Sequence, residues 1–315
     1  MALSKNNITA LGIKKTPAWK RIKRDRFFYF LLLPALVITF IFAYMPLPGL
    51  IVAFKDYDIF KGMFGSPWAG LKHIKEIFEI PAIMESIWNT LTISVLSLVV
   101  AFPAPIILAL LLNELKDGLF KRTIQTVSYL PHFLSWISVI GIVSTLYAAY
   151  GPINDLRVAL FGEGTERILF LARQDLFVPN VLALTVWKET GWGSIIYLAA
   201  LTSIDPQLYE AAYIDGASRW QQTRYITLPG LMPTAMLLLI LRLGGLFASN
   251  FELIYGLQNP FINYEVISTV VFKSGIQQGN YSLSTALGFV QGLVAFLLTA
   301  ASNSISKRLS GIAIW

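Results

Sequence analysis

Two short stretches place ionisable groups inside apolar surroundings. Lys188 and Glu189 are neighbours in the run 179–203, and Arg242 lies near the middle of the run 230–251. A charge near the centre of a membrane helix costs roughly 2.5–3.5 kcal/mol on insertion scales, so each such group needs a partner or a wet cavity. For Lys188 and Glu189 two roles are open: contact with a polar solute, or pairing with each other or across helices. For Arg242 the alternatives are a solute pathway, adopted here, and a buried pair with a carboxylate of another chain. Aromatic rings stack on sugar faces, which makes Trp187 and Trp192 candidates, with Asn250 and Gln291 as hydrogen-bond donors. Packing or interfacial anchoring competes for either tryptophan. An Arg242 facing a cavity would suit an acidic sugar such as a uronate oligomer.

Other chemistries find little support. The chain has no cysteine and two histidines, His73 and His132. Disulfides, thiol catalysis and cysteine metal sites are excluded, and a histidine metal site is not expected. His132 follows Pro131 at a helix start and reads as structural. The glycines at 65 and 70 have phosphate-loop spacing but continue into Leu71 and Lys72. No nucleotide-binding loop is therefore present, and the chain is not expected to hydrolyse ATP.

The stretch 203–229 has a different character. Asp205 suits an N-cap, and Pro206 suits the first helical position. A short helix is predicted from Pro206 to about Asp215, ended by Gly216 in a left-handed conformation. Ser218 then caps a second helix of two to three turns, and Pro229 marks its junction with the next apolar run. On the first helix Ala211 and Ala212 are small, Glu210 and Asp215 are of exposed type, and Tyr209, Tyr213 and Ile214 offer apolar contact. This composition fits a helix seated in another protein's groove. The competing role is an amphipathic connector on the membrane surface, which would require neither the glycine nor the alanine pair.

The elements that must position these groups are membrane spans. The 315 residues are 55% hydrophobic and 14% charged, against about 25% charged in a soluble domain. Six runs reach spanning length: 27–45, 87–112, 127–147, 179–203, 230–251 and 283–304. Pro131 and His132 interrupt the third, and Lys188 and Glu189 sit inside the fourth. Pro103 and Pro105 should kink the second. Gly288 and Gly292 form a GxxxG in the sixth that allows close helix approach. The first run is long and lacks a small-residue cleavage site, so a cleaved signal peptide is not expected.

Six spans put both termini on one side. The net charge of +7 concentrates at Lys14, Lys15, Lys20, Arg21, Lys23, Arg24 and Arg26. Such a flank belongs at an anionic inner leaflet, so both termini are expected in the cytoplasm and no nucleic-acid partner is expected. Residues 1–26 then form a basic cytoplasmic segment and 27–304 a six-helix all-α membrane domain containing the loop 204–229. Residues 305–315 form a cytoplasmic tail.

Glu210-Ala211-Ala212, Gly216, Ile226, Leu228 and Pro229 resemble the EAA motif of binding-protein-dependent ABC importer permeases. Tyr44 to Gly49, Ala53 to Tyr57, Ser66 to Leu71, Asn89 to Leu91, Tyr129 to Phe133, Ser135-Trp136 and Trp187 to Leu201 are similar to the polysaccharide permease subgroup of the maltose-type family. Arg242 departs from that pattern, where an uncharged residue is expected. The resemblance implies the type I importer permease fold. It also implies that the loop residues Tyr209 to Tyr213, Asp215, Gly216, Leu228 and Pro229 hold a coupling helix. The implied partners are a second, non-identical permease, two cytoplasmic ATPase subunits carrying ATP and Mg, and an extracytoplasmic solute-binding protein. They imply oligosaccharide import across a prokaryotic inner membrane, with no cofactor in this chain. An ion-coupled secondary transporter would show inverted repeats, and none is apparent. A membrane enzyme would cluster polar groups at one face, and none stands out.

Overall fold

The computed structural model describes Trp19 and residues 23–310. Lys5, Lys14, Lys15, Lys20, Arg21 and residues 311–315 lie outside the described residues. The chain divides into two compact units, Met1–Ile51 and Val52–Trp315. In the first, α1 (Arg26–Thr39) contains Pro34 and continues into a wide π-turn, Phe40–Tyr44. Met45 N–H closes that turn on Phe40 O at 2.9 Å. A 3-10 segment, Leu47–Phe54, carries the chain into the second unit.

The second unit is helical; among the described residues its one β-feature is an isolated bridge between Lys55 and Trp68. Helix α2 (Lys72–Glu79) precedes α3 (Pro81–Val100) and α4 (Pro103–Glu114). The kink expected from Pro103 and Pro105 is a break at Ala101 and Phe102. Both prolines then fall in the first turn of α4, where a missing N–H leaves no bond unmade. Helix α5 (Leu119–Tyr129) runs into a 3-10 turn, Leu130–Phe133. The following α6 (Trp136–Leu146) is capped by Ser135 and turns by 104°. Helix α7 (Pro152–Phe161) is pinned by buried Asn154, which donates to Ala148 O and Ile168 O and accepts from Ile168 N–H.

The long α8 (Gln174–Leu201) leads to α9 (Pro206–Ile214). A short α10 (Arg219–Gln222), a π-turn (Thr223–Thr227) and α11 (Leu228–Gly244) form one 26-residue helical stretch. Pro229 lies at the expected junction, in the first turn of α11, but the helical stretch runs on through it without a break. Its ring would press on the carbonyl four residues back, that of Tyr225. The π-turn opens the ladder there, with Leu228 N–H bonding Thr223 O. The connection expected between the last two spans holds two helices, α12 (Phe251–Leu257) and α13 (Ile267–Phe272), before α14 (Tyr281–Ser310).

Among the described residues four helical stretches are long and apolar enough to cross a bilayer: Arg26–Phe54, Pro81–Glu114, Arg219–Gly244 and Tyr281–Arg308. The bent pair Leu119–Phe133 and Trp136–Leu146 would make a fifth. By length and hydropathy the described residues thus give four or five of the six expected from sequence. Helix α8 has 28 residues, roughly 42 Å at 1.5 Å per residue, but its middle holds Lys188, Glu189, Thr190, Gly191 and Gly193. Its length suffices to span; its hydropathy does not.

Three apolar clusters hold the second unit. Val139, Val143, Phe177, Val181, Leu253, Ile254 and Leu257 join α6, α8 and α12. Ile77, Ile83, Ile267, Leu283 and Leu287 join α2, α3, α13 and α14. Ala109, Tyr197, Leu201 and Leu231 join α4, α8 and α11. The crossing of α8 with α5 is closer than any side chain permits: a Cβ at Gly191 would lie 1.9 Å from Ser128 O. By contrast, a Cβ at Gly288 or Gly292 meets nothing within 4 Å. The GxxxG thus mediates no close helix approach among the described residues.

Candidate functional site

A cavity of about 710 Å³ opens between α3, α4, α8 and α11 and the turn after α11. Its walls are mostly apolar, with Ile93, Leu98, Pro105, Leu238 and Leu241 among them. Polar groups enter from separate elements: Ser94 and Ser97 of α3, Thr185 and Glu189 of α8, Arg242 of α11, and Ser249 and Asn250 beyond it. Trp136 and Trp192 add aromatic surface. Mostly apolar walls with a few placed polar groups are what a small-ligand site presents.

Arg242 is not near mid-helix, as the run 230–251 suggested, but in the last turn of α11. The helix stops at Gly244, where a Cβ would come within 2.4 Å of Thr299 Oγ1 on α14. A new helix then starts at Asn250, whose side chain accepts from Leu253 N–H at 3.1 Å. A cation in a last turn faces the negative end of the helix dipole, which offsets part of the cost of holding it there. Among the described residues no hydrogen bond or ion pair engages the Arg242 side chain.

Glu189 is treated differently. His132 Nδ1 lies 3.0 Å from its Oε2, and Lys188 Nζ lies 3.5 Å from its Oε1. Lys188 is buried; it donates to His132 O at 2.9 Å and stands 4.9 Å from the centroid of the Trp136 ring. Of the two roles left open for this pair, Lys188 takes the pairing role and does not line the cavity, whereas Glu189 pairs and lines it as well. The ring of His132 stacks on Trp192 at 4.7 Å and 1°. His132 is thus tied to the cavity wall through a residue 57 positions away, a relation with no signal in the sequence.

Two further expected pathway residues are elsewhere. Trp187 is half exposed and does not line the cavity. Five residues before Trp192 on one helix, it points about 140° away from it. Gln291 donates to Phe247 O at 2.8 Å, fastening α14 to the turn that shapes the cavity, and is not part of the lining. Ser94, Ser97, Thr185 and Ser249 are lining residues the sequence reading omitted.

The loop after α8 is ordered by its neighbours in sequence. Asp205 Oδ1 accepts from Gln207 N–H at 2.9 Å, and Pro206 opens α9. Gly216 has φ +77°. Its N–H reaches Tyr213 O, and Ala217 N–H reaches Ala212 O, the paired bonds of a Schellman ending. Ser218 and Gln221 cap the next helix reciprocally. Tyr209 hydroxyl meets Thr227 Oγ1 at 3.0 Å, and Gly230 lets Ile204 close against the base of α11. No residue of α9 is buried. Glu210, Ala211, Asp215 and Gly216 are exposed and Ala212 is half-buried. Tyr213 is 78% exposed and Ile214 83%.

A second polar cluster lies after residue 54. Asp56 bonds Lys72 at 2.8 Å and His73 at 3.0 Å, and the Lys72 hydrogen bond holds its carboxyl below the usual range. Glu265 bonds Lys273 and Thr269; burial alone would raise its carboxyl, but these donors outweigh burial and lower it.

The sequence pattern of the binding-protein-dependent transport system inner membrane component family matches residues 101–311. The chain is 41% identical over 308 residues to Protein LplB of Bacillus subtilis, covering 96% of each chain. It is 39% identical to the polygalacturonan/rhamnogalacturonan transport system permease protein YteP of the same species, covering 91% of this chain and 90% of that one. It superposes on a crystal structure of a bacterial ABC transporter involved in the import of the acidic polysaccharide alginate. The TM-score is 0.85 at 39% identity, covering 94% of this chain and all of that one. It likewise superposes on a bacterial alginate ABC transporter in complex with an alginate pentasaccharide-bound periplasmic protein, with a TM-score of 0.86 at 38% identity.

Proposed function

The chain belongs to the binding-protein-dependent transport system inner membrane components, and from that premise we propose that it is one permease half of an ATP-driven importer of acidic oligosaccharides. It is a membrane-spanning transport subunit rather than an enzyme. The observation that carries the fuller reading is one continuous helical stretch, Arg219–Gly244. It begins in the exposed loop and ends at the cavity with a guanidinium that has no partner among the described residues.

In this reading α9 is the coupling helix, seated by Ala211 and Ala212 in a cleft of a separate ATPase that carries ATP and Mg. A second permease completes the pathway, and a solute-binding protein delivers the sugar from outside. With α8 as a sixth crossing, Glu189 of its polar middle turned to the cavity, both termini fall on one side. The excess of Lys and Arg at the N-terminus supports the cytoplasm for that side. Closure of the ATPase pair on ATP draws the coupling loops together and shifts the spans between inward-facing and outward-facing states. Each ligand moves that equilibrium only by its differential affinity for the two states.

The acidic character of the sugar rests on Arg242, which brings a bidentate donor fork to the cavity with no carboxylate among the described residues to take it. The names of the relatives, a polygalacturonan permease and an alginate importer, point the same way. The complex with its binding protein is expected to hydrolyse ATP faster with uronate oligomers than with neutral ones. In Arg242→Leu, uptake of the acidic oligomer should fall about tenfold or more, as for one lost charged hydrogen bond, with neutral uptake unchanged. Equal losses on both would overturn the acidic assignment and leave the importer intact.

A further inference from the structure

We propose that Glu189 is the acceptor for sugar hydroxyl groups in the cavity, and that Lys188 and His132 are positioning residues that hold its carboxylate from behind. The proposal rests on reading this cavity as the sugar pathway.

The three groups are layered. Glu189 lines the cavity, whereas neither Lys188 nor His132 does. The Glu189 side chain is 40% exposed and that of Lys188 7%. A carboxylate offers about four acceptor positions. His132 Nδ1 occupies one on Oε2, and Lys188 Nζ approaches one on Oε1. The remaining positions are left to the cavity, where sugar hydroxyls are the natural donors. Lys188 is fixed by the His132 carbonyl and the Trp136 ring as well as by Glu189, so it stays behind the wall.

The arrangement also settles an electrostatic conflict. A bare carboxylate in the cavity would repel an acidic sugar and offset Arg242. The buried ammonium beside Glu189 cancels that charge while leaving its lone pairs in place, so Arg242 remains the net charge the solute meets. His132 stacks flat on Trp192, and Phe133 meets the same indole edge-on at 5.5 Å, so the ring is held in place on the cavity wall. One carboxylate therefore reads hydroxyls without deciding the charge of the solute.

A set of paired variants tests this in proteoliposomes holding the permease pair, its ATPase and its binding protein, with trigalacturonate as the probe. Rates are expressed per assembled complex. Lys188→Met frees the carboxylate and should lower uptake about tenfold, the size expected for one charged interaction. Adding Glu189→Gln restores neutrality and keeps an acceptor, so uptake should recover most of that loss. Adding Glu189→Ala restores neutrality without an acceptor, and uptake should stay low. Equal uptake by the two double variants would overturn the acceptor role. A Gln double variant as low as Lys188→Met alone would overturn the charge compensation. If Lys188→Met fails to assemble, Glu189→Gln and Glu189→Ala are compared by the KM of uptake, which alanine should raise above the glutamine value. A wild type that imports maltotriose and not trigalacturonate overturns the acidic-sugar assignment instead. The glutamine–alanine difference is then measured on maltotriose, with the same order expected.

Discussion

The loop 205–229 and the cavity around Arg242 share helices but are built in opposite ways. The loop's caps and turn close within a few residues: Asp205 on Gln207, Ser218 on Gln221, Ala217 on Ala212. The cavity is assembled from distant parts, with His132 set against Glu189 and α5 pressed on α8 at Gly191. A locally ordered element keeps its form while it moves against a partner. A cavity made of long-range contacts changes shape whenever its helices shift. A transport subunit needs both, a firm handle and a pliable chamber.

The largest predicted effect breaks the long-range side of this contrast. Gly191→Val would drive a side chain into the Ser128 carbonyl. Overpacking of a rigid contact costs about 1–3 kcal/mol or more, so detergent-stable complex and uptake should both be lost. Normal gel-filtration yield with full uptake would show that the α5–α8 crossing does not shape the cavity. Next comes the handle. Gly216→Val places a β-branched residue at φ +77°, a strain of about 1–2 kcal/mol. Membrane insertion should be unchanged, while sugar-stimulated ATP hydrolysis separates from uptake. Parallel hydrolysis and transport assays show it as a lowered transport-to-hydrolysis ratio.

A smaller effect separates two residues of one helix. Trp192→Ala should reduce uptake several-fold, on the scale of about 1 kcal/mol for a lost stacking face, whereas Trp187→Ala leaves it at the wild-type level. Equal losses would remove the distinction between lining and non-lining faces of α8. The smallest effect is Ser218→Ala, which removes one half of the capping box at about 1 kcal/mol. Thermal unfolding should shift slightly, with transport nearly intact.

The same contrast explains what could be read from the residues alone. The cap at Asp205, the glycine ending at 216 and the cap at Ser218 are legible because each depends on neighbours a few positions away. Arg242 and Glu189 are recognisable as charges in apolar runs, but their different fates are not. One has no partner among the described residues and the other is held by a histidine 57 residues off. Trp187 and Gln291 look as suitable as Trp192 and Asn250 until helix phase and packing decide. The hydropathy count stops at four or five spans for a related reason. Hydropathy passes over α8 because its middle holds Lys188, Glu189 and Thr190, of which Glu189 faces the cavity and Lys188 is buried behind it.

The wide turn at Thr223–Thr227 has a consequence for aim. A π-turn holds one residue more than an α-turn, so everything beyond it is rotated by about 100° relative to an uninterrupted helix. Arg242 lies four turns downstream of that insertion. Its bearing on the chamber is therefore set at the foot of the helix, next to the handle, in the way a sight is adjusted at the breech and read at the muzzle.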